Sequence, residues 1–197
     1  MKDEVITMSI NPTELKGNWN EGYALDYHLV SSEYVGEDVY GNKRFDNKYT
    51  ELGELLYKMK YNGHHDTSDD IVSIARPFLD KWLKDKAIDI ILPIPPTKSR
   101  DIQPIFIIAE AISKCCNVPC SSEVFVKTTP TQSKDIDKSE KDLTGTITLL
   151  KNAKRKCNIL LIDDLFATGA TAAECVKVLK TDSLVDKIYL LALTKTR

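Results

Sequence analysis

Ile159, Leu160, Leu161 and Ile162 form an apolar run without polar alternation, the pattern of a parallel strand covered on both faces. Two carboxylates, Asp163 and Asp164, end the run, and Ala172, Cys175, Val176 and Leu179 then recur at helical spacing. Residues 88–92 repeat the buried-strand pattern and lead through a proline-rich turn to an apolar helix over 102–116. Upstream, Leu52, Leu55, Leu56 and Met59 mark one helix face, which ends where Gly63 suits a left-handed cap. A further helix is marked by Ile71, Ile74, Ala75, Phe78, Leu79, Trp82 and Leu83. Ser68, Asp69 and Asp70 are its N-cap candidates, and Pro77 predicts a kink or a late start. Alternation over 23–30 predicts a half-buried strand, and short strands are expected over 123–126 and 187–194. Residues 1–20 show no period and read as an extended lead-in, while Gly36, Gly41 and Asn42 punctuate a charged loop. Strands alternating with helices predict an α/β fold with an open, mainly parallel sheet flanked by helices.

Composition narrows the class. With 197 residues, 42% hydrophobic and 28% charged, the chain suits one domain with a sizeable core and a small appendage. A net charge of −2 with interspersed signs gives no basic stripe, so nucleic acid is not indicated. No apolar stretch is long enough to span a bilayer, and the start, Met1-Lys2-Asp3-Glu4, lacks the apolar core of a secretory signal. A cytoplasmic protein is expected. Five cysteines, an odd number, suggest free thiols. Cys115, Cys116 and Cys120 invite a zinc reading, but Cys157 and Cys175 fall on a predicted strand and helix, away from any fourth ligand position. His64 and His65 read as a solvated pair, whereas a ligand-facing role for His28 stays open.

The chemistry concentrates where the central strand meets its helix. The loop Ala167, Thr168, Gly169, Ala170, Thr171 lies at a helix N-terminus, where unpaired N–H groups and the helix dipole favour a phosphate. Gly169 allows close backbone approach, and the two threonine hydroxyls can donate further bonds. Asp163 and Asp164 suit the hydroxyls of a ribose and favour a nearby Mg²⁺. Ribose 5-phosphate satisfies both halves. A second loop, Pro95, Pro96, Thr97, Lys98, Ser99 and Arg100, offers donors to phosphate oxygens after a strand end, although these residues also suit a rigid surface turn. The polar stretch 127–141, containing Lys134, has the composition of a mobile lid and equally of an ordinary loop. A receiver-like signalling domain fares poorly, because it needs acidic residues at more than one strand end and Asp89 stands at the beginning of its strand.

An apolar strand, two acidic residues, a short spacer and Thr-Gly-x-Thr in one register resemble the signature of type I phosphoribosyltransferases. Ala167 is a departure, since many members carry threonine there. The segments 56–63, 93–96, 129–132 and 143–145 further resemble the ComF-like branch, although residues 1–50 contain no four-cysteine zinc ribbon. The resemblance implies that Asp163 and Asp164 hold the ribose hydroxyls of phosphoribosyl pyrophosphate. Residues Ala167 to Thr171 then cradle its 5-phosphate, and Pro95, Pro96, Thr97 and Lys98 lie at the pyrophosphate. Mg²⁺ is expected to arrive mainly through the ligand, near the acidic pair, with no dedicated metal site. Lys98 and Arg100 are expected to stabilise the departing charge, and Lys134 to close over the site. Residues 1–50 stand where relatives build an acceptor-recognising hood, and 51–197 form the phosphoribosyltransferase-like domain. The implied function is transfer of phosphoribosyl to a small nitrogenous acceptor in nucleotide metabolism. The alternative is a non-catalytic sensor of phosphoribosyl pyrophosphate or a nucleotide. A homodimer is compatible with the chain but not specified by it.

Overall fold

The computed structural model describes residues 10–64, 66–96, 102–127 and 145–197. Its strands are β1 (Thr13–Glu14), β2 (Glu21–Tyr27), β3 (Leu29–Glu37), β4 (Lys43–Tyr49), β5 (Ile90–Pro93), β6 (Phe125–Lys127), β7 (Ile147–Leu149), β8 (Cys157–Phe166) and β9 (Val185–Lys195). Its helices are α1 (Glu51–Tyr61), α2 (Thr67–Trp82), α3 (Pro104–Cys116) and α4 (Ala170–Leu179). The central sheet has the order β1-β2-β9-β8-β5. Strands β2, β9, β8 and β5 run parallel, and β1 adds an antiparallel edge.

Both faces of this sheet are covered, which explains the unbroken apolar runs of β5 and β8. Leu160 and Ile162 of β8 point with Leu191 and Leu193 of β9 into a core shared with α1, α2 and α3. Ile159 and Leu161 point with Leu190 and Ala192 into a second core against α4, the β6–β7 pair and Trp19. Helix α1 starts at Thr50, whose hydroxyl accepts the Gly53 N–H at 3.1 Å and donates to the Tyr27 carbonyl at 2.6 Å. That cap anchors α1 to the end of β2. Asn117 and Gly63 take left-handed conformations beyond α3 and α1, as helix C-termini favour.

Four local expectations change. Helix α2 is unbroken around Pro77, and its start at Thr67 places Ser68, Asp69 and Asp70 inside the first turn; the Thr67 hydroxyl instead donates to the His64 carbonyl at 2.8 Å. The charged stretch around Gly36 and Gly41 is a hairpin of β3 and β4, not a loop. Its strands are mostly solvent-exposed, so they carry no buried-face period. Its turn is closed by Asp38, whose Oδ1 accepts the Tyr40 and Asn42 N–H groups at 2.8 and 2.9 Å. The described part of the lead-in, from residue 10, includes β1, which pairs with β2. Finally, β8 runs past the acidic pair to Phe166, paired with Lys195.

Candidate functional site

Because β8 continues through the acidic pair, Asp163 and Asp164 emerge on opposite faces of the sheet. Asp164 turns toward α1, where Lys60 Nζ meets its Oδ2 at 2.8 Å. Asp163 lies on the α4 side, where its charge reaches the buried thiol of Cys175. Burial, and then the neighbouring Asp164 charge, push the Asp163 carboxyl up to about 7, against the opposing pull of two backbone N–H groups and Lys60. Asp163 nevertheless stays partly accessible, since it lines a cleft of about 290 Å³ with Lys60, Pro95, Pro96, Asp164 and Thr171. The cleft opens at the carboxyl ends of β5 and β8, where open α/β sheets bind ligands.

The loop meets the requirements of an anion cradle. Gly169 has φ +78°, and a Cβ there would lie 2.5 Å from the Phe166 ring, so both conformation and space demand glycine. Gly169 caps α4 without a side-chain hydrogen bond, and the first turn holds no acidic residue. One N–H, that of Ala170, reaches the Thr168 hydroxyl at 3.3 Å. Such a helix start favours an anion through its backbone donors and dipole.

Sequence reasoning missed three supports. Lys60 lies within the 56–63 segment without a role the sequence assigns, and only the fold brings it to Asp164. Thr194, fully buried on β9, donates to the Asp164 carbonyl at 3.0 Å, while His28 Nδ1 lies 3.1 Å from the same hydroxyl. With the Thr194 proton committed, His28 Nδ1–H is the donor of that bond. Burial and then Lys60 hold the His28 imidazole below its usual range. Trp19 packs edge-on against Phe166 at 6.0 Å and donates its indole N–H to the Leu15 carbonyl at 2.7 Å. A Cβ at Gly17 or Gly22 would enter the indole, so the ring sits closely against the backbone on both sides.

Thr97, Lys98, Ser99, Arg100, Lys134 and residues 128–144 lie outside the described residues, as does His65. At the near end of the 128–144 stretch, the Gly145 N–H donates to Glu174 of α4 at 2.7 Å. Among the described residues, no three His, Cys, Asp or Glu side chains gather as a metal cage.

No family model matches the chain. Competence protein ComFC of Bacillus subtilis (strain 168) is 32% identical over 129 residues, which are 64% of this chain and 53% of that protein. The chain therefore spans about half the length of this curated relative. Among solved structures, adenine phosphoribosyltransferase of Trypanosoma brucei, in complex with AMP, pyrophosphate and ribose-5-phosphate, is similar at 15% identity and a TM-score of 0.49, covering 94% of this chain and 86% of that one. The enzyme of Leishmania tarentolae is similar at 12% identity and a TM-score of 0.47, covering 94% of both chains. The acidic pair and the Thr-Gly-x-Thr loop after it stand at the carboxyl end of a parallel strand, and over 129 residues the chain is similar to the competence protein.

Proposed function

We propose that the cleft between β5 and β8 binds phosphoribosyl pyrophosphate with Mg²⁺, and that the protein transfers phosphoribosyl to a nitrogenous acceptor in the cytoplasm. The observation that carries this reading is the convergence of Asp163, Asp164 and Thr171 on one cleft with Pro95 and Pro96. Asp163 and Asp164 accept hydrogen bonds from the ribose hydroxyls. The N–H groups of Ala167 to Thr171 hold the 5-phosphate, and the loop after Pro96 receives the pyrophosphate through Thr97, Lys98 and Arg100.

The residues suit a cation brought by the substrate. Two carboxylates face the cleft, yet one already bears Lys60 and the other is held toward its neutral form, so neither side chain pair forms a cage. When bound, Mg²⁺ would supply charge neutralisation to the pyrophosphate. The chain's own part is positioning: its loops fix both phosphate ends, so that the C1–O bond lies between fixed groups and pyrophosphate leaves as oxocarbenium character develops. Lys60, at the edge of the same cleft, adds a fixed positive charge beside the acidic pair. Lys134 contributes to a lid that excludes water.

Calorimetric titration of phosphoribosyl pyrophosphate with and without Mg²⁺ tests the site. The wild-type protein should bind only with Mg²⁺, and folded Asp163→Asn and Gly169→Trp variants should lose at least about tenfold in affinity. Absence of binding to the folded wild-type chain refutes the reading. Where binding is present, pyrophosphate release across a panel of nitrogenous acceptors separates transferase from sensor.

A further inference from the structure

The sheet has a second opening at its other end. A cavity of about 410 Å³ lies against the first residues of β5, β8 and β9, within the ~300–1,000 Å³ range of small-molecule sites. Leu92, Val124, Leu149, Ile159, Leu179 and Val185 form its walls. These residues are the lower edge of the core against α4, and Val124, Leu149 and Val185 stay only partly buried where they face the opening. Close-packed interiors seldom leave such a space, and water in it would find few polar partners along these walls.

The mouth is polar and its charges can be accounted for. Asp89 accepts the Asn158 N–H and pairs with Arg155, both at 2.9 Å. Asp182 accepts the Ala153 and Leu184 N–H groups at 2.6 and 3.0 Å. Lys151 is paired with Glu123. Lys154 also lines the cavity, is exposed, and makes no ion pair among the described residues. Internal bonds thus engage both acids at the mouth and leave a cation over an apolar chamber.

We propose that this cavity binds a small amphiphilic carboxylate, its hydrocarbon body among the six apolar residues and its charged head at Lys154. The site is separate from the β5–β8 cleft and does not depend on what that cleft binds. Its Cys157 thiol, which lines the cavity, is a built-in reporter. The test is alkylation of the full-length protein by iodoacetamide with increasing decanoate below its micellar range, followed by peptide mass mapping. Decanoate should slow Cys157 modification at least about fivefold and leave Cys115 unaffected, while decanol protects about tenfold more weakly and Lys154→Glu weakens decanoate protection about tenfold. The exposed position of Lys154 lets that variant fold. No slowing at Cys157, or equal slowing at every cysteine, overturns the site. Equal protection by decanol, or unchanged protection in Lys154→Glu, overturns the carboxylate as its ligand.

Discussion

Asp163 carries the largest electrostatic cost visible in the cleft. An acid whose folded-state pKa is raised binds its proton more tightly in the folded than in the unfolded chain, so its burden on stability is absent at low pH and grows as pH rises toward 7. Replacing it with asparagine removes that burden. Chemical denaturation of Asp163→Asn should therefore match wild type near pH 4 and show a gain on the order of 1–2 kcal/mol above pH 7, after allowance for the group's partial exposure. A stability difference independent of pH would show that packing, not charge, distinguishes the two. The same side chain is proposed to hold a ribose hydroxyl, so this variant should gain stability while losing ligand, the exchange expected where a site is strained for function. Lys60 moderates the strain through Asp164 and would be costly to remove alone, because it leaves a partly buried carboxylate uncompensated.

At the scale of elements, the loop after β8 is held from behind by a segment more than a hundred residues away in sequence. Trp19 supports Phe166, and Phe166 occupies the space that a side chain at position 169 would need. Asn18 ties the same segment to α4, its Nδ2 donating to the Ala173 carbonyl at 2.9 Å. Trp19→Leu should therefore cost stability by about 2–3 kcal/mol, as expected for truncating a buried aromatic. It should also weaken phosphoribosyl pyrophosphate binding more than an equally destabilising change remote from the loop, such as Ile112→Ala in α3. Calorimetry on the two variants, matched for folded fraction, decides between them. Equal affinities would mean that the tryptophan serves the core and not the loop.

This support was not legible in the sequence, because Trp19 belongs to a stretch without period and its partner lies on another element. The central strand and its loop were legible for the opposite reason: an apolar run, an acidic pair and a Thr-Gly turn are contiguous, so local chemistry suffices. The end of β8 was misjudged because carboxylates resemble a strand terminus, whereas pairing with β9 continues through them to Phe166. The hairpin of β3 and β4 escaped notice because periodicity reports burial, and that ribbon buries little.

Considered as a whole, the molecule divides less sharply at residue 50 than a simple extension would. Strand β2 lies in the central sheet beside β9, and Thr50 fastens the return of the chain to both β2 and α1. Gly53 presses against this junction so closely that a Cβ would lie 2.1 Å from the His28 carbonyl oxygen. What projects from the sheet is the β3–β4 ribbon, with Tyr34 and Phe45 packed edge-on at 5.8 Å but both more than half exposed. We propose that this ribbon, rather than all of residues 1–50, acts as the hood over the acceptor side of the cleft. Replacing residues 30–48 with a short Gly-Ser turn should preserve a single cooperative melting transition, since neither core cluster draws a residue from that span. Binding of phosphoribosyl pyrophosphate should stay within about threefold of wild type, because the proposed donor groups lie elsewhere, whereas acceptor-dependent pyrophosphate release should fall by at least about tenfold. Loss of donor binding in a protein that still melts cooperatively would make the ribbon part of the donor site. Unchanged turnover would remove it from catalysis and leave its exposed aromatics to another role.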